Sequence, residues 1–527
     1  MVLAKETRTR LKGCVIIVHD LAGTAALGRL VEFRQRVYDC LTRRPDAVFD
    51  LLDAVTCHGE AVTSLPALSL EPEFRRGHGA LYSALADGRV EEAGLRELLL
   101  GTALLDTRPA DTEAADTGPA GTGPTGRDAG PAGSEGVVWF AGDVSGWPRP
   151  DAVTSPQRLA MFDKSARTSA GHPITSGWPF AVMVGVEWGA SSWVAPVDAV
   201  RLGPDDTLTS VTLAAVERVA AGLVRAGHDQ RAGFVFDAEY DLMALSHRWA
   251  DRAHIVGRLR SNQVFHADPE PEPARRGPRR RHGEKITLND PDTLGVPDRR
   301  VEVDSPRYGK VVLSGWDGRH RRLTREGFWD DHPRPLPIVR GSVIRVELER
   351  LPGGGAPDRP MWLWQAGPVL LDLVTVFSAY QRRFDIEHFF RFCKQRLGWT
   401  RPAPMLPETA EVWTWLVVLA YTQLRLARPV VVDARLPWEK PVGQGVLSPG
   451  RVRRVFRRVR GLVGSPANPP RFTRAGPGRP VGTSRPPRAR HATHKKNSRA
   501  TRNKGTTTTG GTASVSETTK GTSKTPR

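Results

Sequence analysis

The sequence predicts an α/β fold in which a mixed sheet is crossed by helices, and three observations predict it. Between residues 137 and 260, short runs of β-branched and aromatic residues alternate with segments of helical period. Before them lies a stretch with helical spacing alone. After them the period returns to that of strands and then, from about residue 372, to that of helices. With 527 residues, 39% of them apolar, the chain is long enough to bury more than one core.

The elements follow in order. Over 32–105 apolar residues recur at helical spacing (Phe33, Val37, Cys40 and Leu41, then Phe49, Leu51, Leu52 and Val55), with Pro66 and Pro72 as breaks. This predicts an N-terminal all-helical domain over 1–105. Residues 106–136 are Asp, Thr, Gly, Ala and Pro in low-complexity order, too poor in large apolar groups to offset ordering entropy, and read as a flexible linker. Val137, Val138, Trp139 and Phe140 make a short buried strand ending at Asp143, and 180–188 and 192–200 are two further strands. A helix follows over 207–226, with Val216, Val219 and Leu223 on one side. Next come a strand at 233–236, a helix at 242–250 and a strand at 254–257. The succession βββαβαβ is a ribonuclease H-like order, and it assigns 137–264 to the first part of a core.

Residues 265–366 lose helical period and carry strand-like runs at 300–303, 310–314 and 342–348, which predicts a β-rich insertion. The second part of the core, 367–430, opens with one long helix over 372–397 and adds another over 410–426. A helical segment occupies 431–465. Beyond it, 466–527 is Pro, Gly, Thr, Arg and Lys, and reads as a disordered basic tail.

The formal charge of +19 is a property of the C-terminus, because residues 451–527 hold 20 Lys and Arg against the single acid Glu517. Such a segment binds polyanions without sequence choice. The remaining 450 residues are balanced. Cys14, Cys40, Cys57 and Cys393 are too scattered for a disulfide framework or a zinc site, which suits a reducing compartment. No apolar run approaches the roughly 18–20 residues of a membrane span.

One helical segment concentrates chemistry. On a continuous helix, with Tyr380 at zero, Arg383 falls at about 300°, Glu387 at about 340° and Lys394 at about 320°, whereas Asp385 falls on the far side at about 140°. One anion, two cations and a phenol on a narrow stripe suit a metal ion flanked by phosphate oxygens. One carboxylate does not suffice for a pair of metals about 3.5–4 Å apart. The best partners are acids at strand ends, Asp143 and Asp237. They give a D, D, E set spaced by 94 and 150 residues. Near Asp237, Glu239 and Asp241 compete, one of them as a helix cap. Taken by itself, the Arg383, Glu387 and Lys394 stripe reads as an exposed ion-pair face, and Asp143 also reads as a turn residue, although its strand-end partners favour a functional role.

Tyr-x2-Arg-x3-Glu-x6-Lys, filled here by Tyr380, Arg383, Glu387 and Lys394, resembles the signature around the catalytic glutamate of insertion-sequence DDE transposases. The resemblance covers roughly residues 137–426. It implies a ribonuclease H-like catalytic core and cut-and-paste DNA transposition, with hydrolysis at the element's ends followed by strand transfer. Asp143, Asp237 and Glu387 are then the catalytic and metal-binding residues, holding two Mg²⁺ for which Mn²⁺ can substitute. Tyr380, Arg383 and Lys394 are implied to contact DNA, as are Arg258 and Arg260, which on a strand can equally pair with nearby acids. Trp316 or Trp329, between which the sequence does not choose, is implied to stack on a flipped base. The implied partners are DNA, as terminal inverted repeats and target, and a second copy of the chain. The implied place is the cytoplasm, at the nucleoid. Two alternatives stand beside this reading: an inactive transposon-derived DNA-binding protein, and a metal-dependent nuclease that never joins strands.

Overall fold

The structure is a computed structural model that describes residues 21–105, 136–162, 174–189, 191–271, 279–471, 480, 482–484 and 487–494. Nearly all of the expected linker lies outside the described residues.

The first helices are α1 (Leu21–Asp39), α2 (Pro45–Cys57), α3 (Leu65–Leu68), α4 (His78–Asp87) and α5 (Glu92–Leu104). A two-stranded ribbon, β1 (Leu41–Arg43) with β2 (Arg89–Val90), staples them. Pro45 starts α2 where its missing N–H costs nothing. Ala47 to Cys57 of that helix are all buried. Asp50 and Asp53 are among them, and they survive burial because Arg75 and Arg34 pair with them at 2.6 and 2.7 Å. These helices share one apolar core with α10 (Pro407–Ala427) and α11 (Pro449–Val463). Helix α10 is apolar on every side, as a helix enclosed by others should be.

Twelve strands form one mixed sheet. Its centre comprises β3 (Val137–Pro148), β4 (Leu159–Phe162), β5 (Ile174–Val186), β6 (Val194–Arg201), β7 (Arg231–Phe236) and β8 (His254–Leu259), with α6 (Leu208–Arg225) and α7 (Leu242–Trp249) as crossovers. The order β6-β5-β3-β7-β8 is antiparallel at β6/β5 and β5/β3, and parallel at β3/β7 and β7/β8. That arrangement is compatible with a ribonuclease H-like domain. Strand β4 was not expected; it pairs with the start of β5.

The β-rich insertion contributes β9 (Val264–His266), β10 (Lys285–Thr287), β11 (Arg299–Ser305), β12 (Gly309–His320), β13 (Arg340–Leu348) and β14 (Met361–Ala366). Its strands do not close on themselves. Strand β14 pairs antiparallel with β8, Trp364 facing Gly257, so the insertion prolongs the central sheet.

Two expectations about the C-terminal half need correction. The long helix expected over 372–397 is two helices, α8 (Leu373–Arg382) and α9 (Asp385–Gln395). Between them the backbone tightens to i→i+3 bonds, Phe384 N–H to Gln381 at 3.2 Å and Ile386 N–H to Arg383 at 3.2 Å, so a single angular scale does not run through the signature. The segment expected to be disordered contains an ordered stretch: Ala160 N–H donates to the His494 carbonyl and His494 N–H to the Arg158 carbonyl, each at 2.8 Å, alongside β4. Part of the basic charge is also structural. Arg453 of α11 is buried and donates to the carbonyls of Val55, Glu60 and Arg396, while Arg460 pairs with Asp53.

Candidate active site

Strand β3 runs beside β7 only as far as Ala141, which faces Val235. Gly142 comes next and lies against Phe236; a Cβ there would sit 2.7 Å from the Phe236 ring, so only glycine lets the strands approach this closely. Asp143 follows on β3, and Asp237 follows Phe236 at the end of β7. The two acids thus emerge side by side where the parallel pairing stops. Asp143 does not end its strand, as the sequence suggests, because β5 carries β3 on to Pro148.

Asp143 Oδ1 accepts from Val144 N–H at 2.8 Å, and Oδ2 accepts from Arg383 Nη1 at 3.3 Å. Arg383 Nη2 donates to Glu387 Oε1, also at 3.3 Å. One guanidinium therefore stands between the strand acid and the helix acid. Its side chain is 5% exposed, against 50% for that of Glu387. The Phe384 ring backs it at 4.7 Å. Burial pushes the Asp143 carboxyl up to about 6; the Arg383 charge opposes the rise, while Asp237 and Glu387 add to it. Asp237 accepts from Glu239 N–H at 2.8 Å, and Asp241 is the cap of α7, taking Ala244 N–H at 3.0 Å. Of the two competing acids, Asp241 is thus the one that caps the helix.

Among the described residues, no three His, Cys, Asp or Glu side chains stand placed to hold a metal ion. The donor chemistry nonetheless fits a hard cation. Asp143, Asp237 and Glu387 offer carboxylate oxygens alone, and burial, with the neighbouring acids adding to it, lets Asp143 hold a proton up to about pH 6. Arg383 occupies the space between two of them.

Of the other expected site residues, Tyr380 adjoins the acids, its ring centre 5.7 Å from the Arg383 guanidinium. Tyr380 is fully buried at the end of α8, and burial pushes its phenol up. Lys394 lies half-buried on α9, its ammonium 5.9 Å from the Trp399 ring centre. Trp316 is buried and donates to the Gly295 carbonyl at 3.3 Å. Trp329 is buried against His247, Phe328 and His332. Stacking on a base requires either indole to be uncovered. Arg258 and Arg260 are exposed at the end of β8.

Beside the Asp237 loop opens a cleft of about 380 Å³, lined by Glu239, Arg258, Arg260, Arg321, Arg322 and Trp329 among others. The sequence reading overlooked Arg321 and Arg322. Their signal was the basic run Arg319-His320-Arg321-Arg322, which ends β12.

Residues 129–322 match the family model of the DDE superfamily endonuclease. That DDE-type stretch takes in Asp143, Asp237, Arg258, Arg260 and Trp316 and ends before the Tyr380 to Lys394 segment. It supports transposase or nuclease chemistry, in which DDE enzymes act on DNA and generally use divalent metals. No curated protein matches the chain. No helix among the described residues is long and apolar enough to cross a membrane.

Proposed function

We propose that the protein is a DDE transposase that cleaves DNA at the ends of a mobile element and joins them to a target. The observation that carries the reading is the Asp143–Arg383–Glu387 bridge beside Asp237, which groups an acid from each of three distant segments.

Asp143, Asp237 and Glu387 would hold divalent cations, Mg²⁺ or Mn²⁺. Such ions supply an activated water or hydroxyl and stabilise the leaving oxygen of an in-line displacement. Asp143 must be ionised to take part, so activity falls on acidification, with a midpoint at or below about pH 6 because a bound cation favours the aspartate. Glu387, half-exposed on α9, would exchange Arg383 for the cation, leaving the guanidinium free to donate to a phosphate oxygen. Lys394, Arg258 and Arg260 supply further cations along the strand, and the basic C-terminal residues hold DNA nearby without reading it. A second copy of the chain brings the two element ends together.

A nuclease that cuts without joining is the second reading, favoured by the endonuclease description of the matched family. Incubation of the purified full-length protein with Mg²⁺, DNA carrying the gene's own flanks and a target plasmid separates the two. Cut and joined products support the transposase, cut products alone support the nuclease, and intact DNA contradicts both.

A further inference from the structure

The cleft beside the Asp237 loop is lined by cations from two strands far apart in sequence. Arg258 and Arg260 leave the end of β8, and Arg321 and Arg322 leave the end of β12. Among the described residues none of these four side chains makes an ion pair or a hydrogen bond. Some other arginines of the insertion are paired, such as Arg299 with Asp317 at 2.8 Å, Arg345 with Glu347 at 2.8 Å and Arg340 with Asp268 at 2.9 Å. Glu239, Asp241 and Glu326 also line the cleft, and the Asp241 carboxylate is committed to the N–H of Ala244. Arg321 is only partly exposed, and burial pulls its pKa down against the opposing Asp241 charge. A half-buried guanidinium without a partner is costly unless an anion completes it.

We propose that this cleft receives the phosphodiester backbone of a single DNA strand, gripped by Arg321 and Arg322 opposite Arg258 and Arg260. At about 380 Å³ it has room for a nucleotide-sized unit and none for a duplex. Its floor includes Ala238 and Glu239, the residues directly after Asp237, so a strand held there leads to the carboxylates. Four cations on one strand's path grip the backbone rather than read bases. The inference rests on the proposal that DNA is the substrate, and adds two residues of the insertion to its path.

The test needs no catalysis. Binding of a 12-nucleotide single-stranded DNA of arbitrary sequence to the full-length protein is measured in EDTA across a salt series. For Arg321→Gln with Arg322→Gln, the slope of log affinity against log salt falls by about 1.4, at about 0.7 per lost contact to a single strand. The exposed Arg322→Gln alone loses about half of that, and Arg321→Lys with Arg322→Lys keeps the slope. Contributions from the basic C-terminus are common to all variants and cancel. An unchanged slope in both glutamine variants overturns the proposal. A wild-type protein that binds with the predicted slopes but never cuts DNA sinks the transposase reading alone. One that cuts DNA while the glutamine variants keep the full slope sinks only this inference.

Discussion

Arg383 donates to Asp143 across 3.3 Å, tying the end of α8 to the middle of β3 over a sequence separation of 240 residues. The same guanidinium reaches Glu387, so the cation neutralises part of a crowded anionic site. The arrangement is costly at neutral pH, because Asp143 ionises in the fold only at about 6.

Asp143→Asn therefore stabilises the metal-free protein. The folded pKa of about 6 lies above the ordinary 3.8, so the penalty for the charge is fully present above pH 6 and fades as pH falls towards 4. A gain of about 1–3 kcal/mol at pH 8 that vanishes near pH 4 is expected in denaturant titrations, since one pKa unit corresponds to about 1.4 kcal/mol. Added Mg²⁺ narrows the gap by stabilising only the aspartate form.

Arg383→Gln removes the cation that does most to hold Asp143 down. The Asp143 pKa then climbs further, and the acidic limb of the pH–activity profile moves to higher pH. A profile that keeps its acidic midpoint contradicts the electrostatic role of Arg383. A purely structural role lowers the rate at every pH without moving the midpoint.

Trp316→Ala costs about 3–5 kcal/mol of stability, read from denaturant unfolding, because the indole is buried against Trp362 and holds the Gly295 carbonyl. The loss is felt without DNA. That separates a packing residue of β12 from an exposed stacking platform.

Arg453→Met leaves the carbonyls of Val55, Glu60 and Arg396 without their donor where α11 meets α2. Thermal unfolding should show a loss of about 2–4 kcal/mol, the cost of stranding buried acceptors, with little change in DNA affinity.

Much of the sheet's centre is legible in the sequence because its strands are continuous apolar runs, as parallel strands covered on both faces must be. The run before Asp237 is the clearest case. The length of β3 is not legible: Val144 to Pro148 includes Ser and Gly, and β5 alone keeps it extended. The break at Arg383 and Phe384 is equally hidden, since neither residue is a helix breaker and the tertiary pull of two carboxylates on Arg383 accompanies it. The His491 to His494 stretch attaches mainly through backbone bonds to 153–160, which leave no mark in composition. The proximity of Asp143 and Asp237 follows from strand order. The bridge to Glu387 depends on a side chain turning inward, which a helical wheel does not fix.

The most direct test is the nicking of supercoiled plasmid carrying the gene's own flanks by the full-length protein in Mg²⁺, compared with Asp143→Ala, Asp237→Ala and Glu387→Ala at equal folded concentration. The account predicts metal-dependent nicking in the wild type and a loss of about a thousandfold or more in each variant, as removal of a metal-holding carboxylate requires. Nicking at the wild-type rate by any of the three variants, or full activity in EDTA, contradicts it.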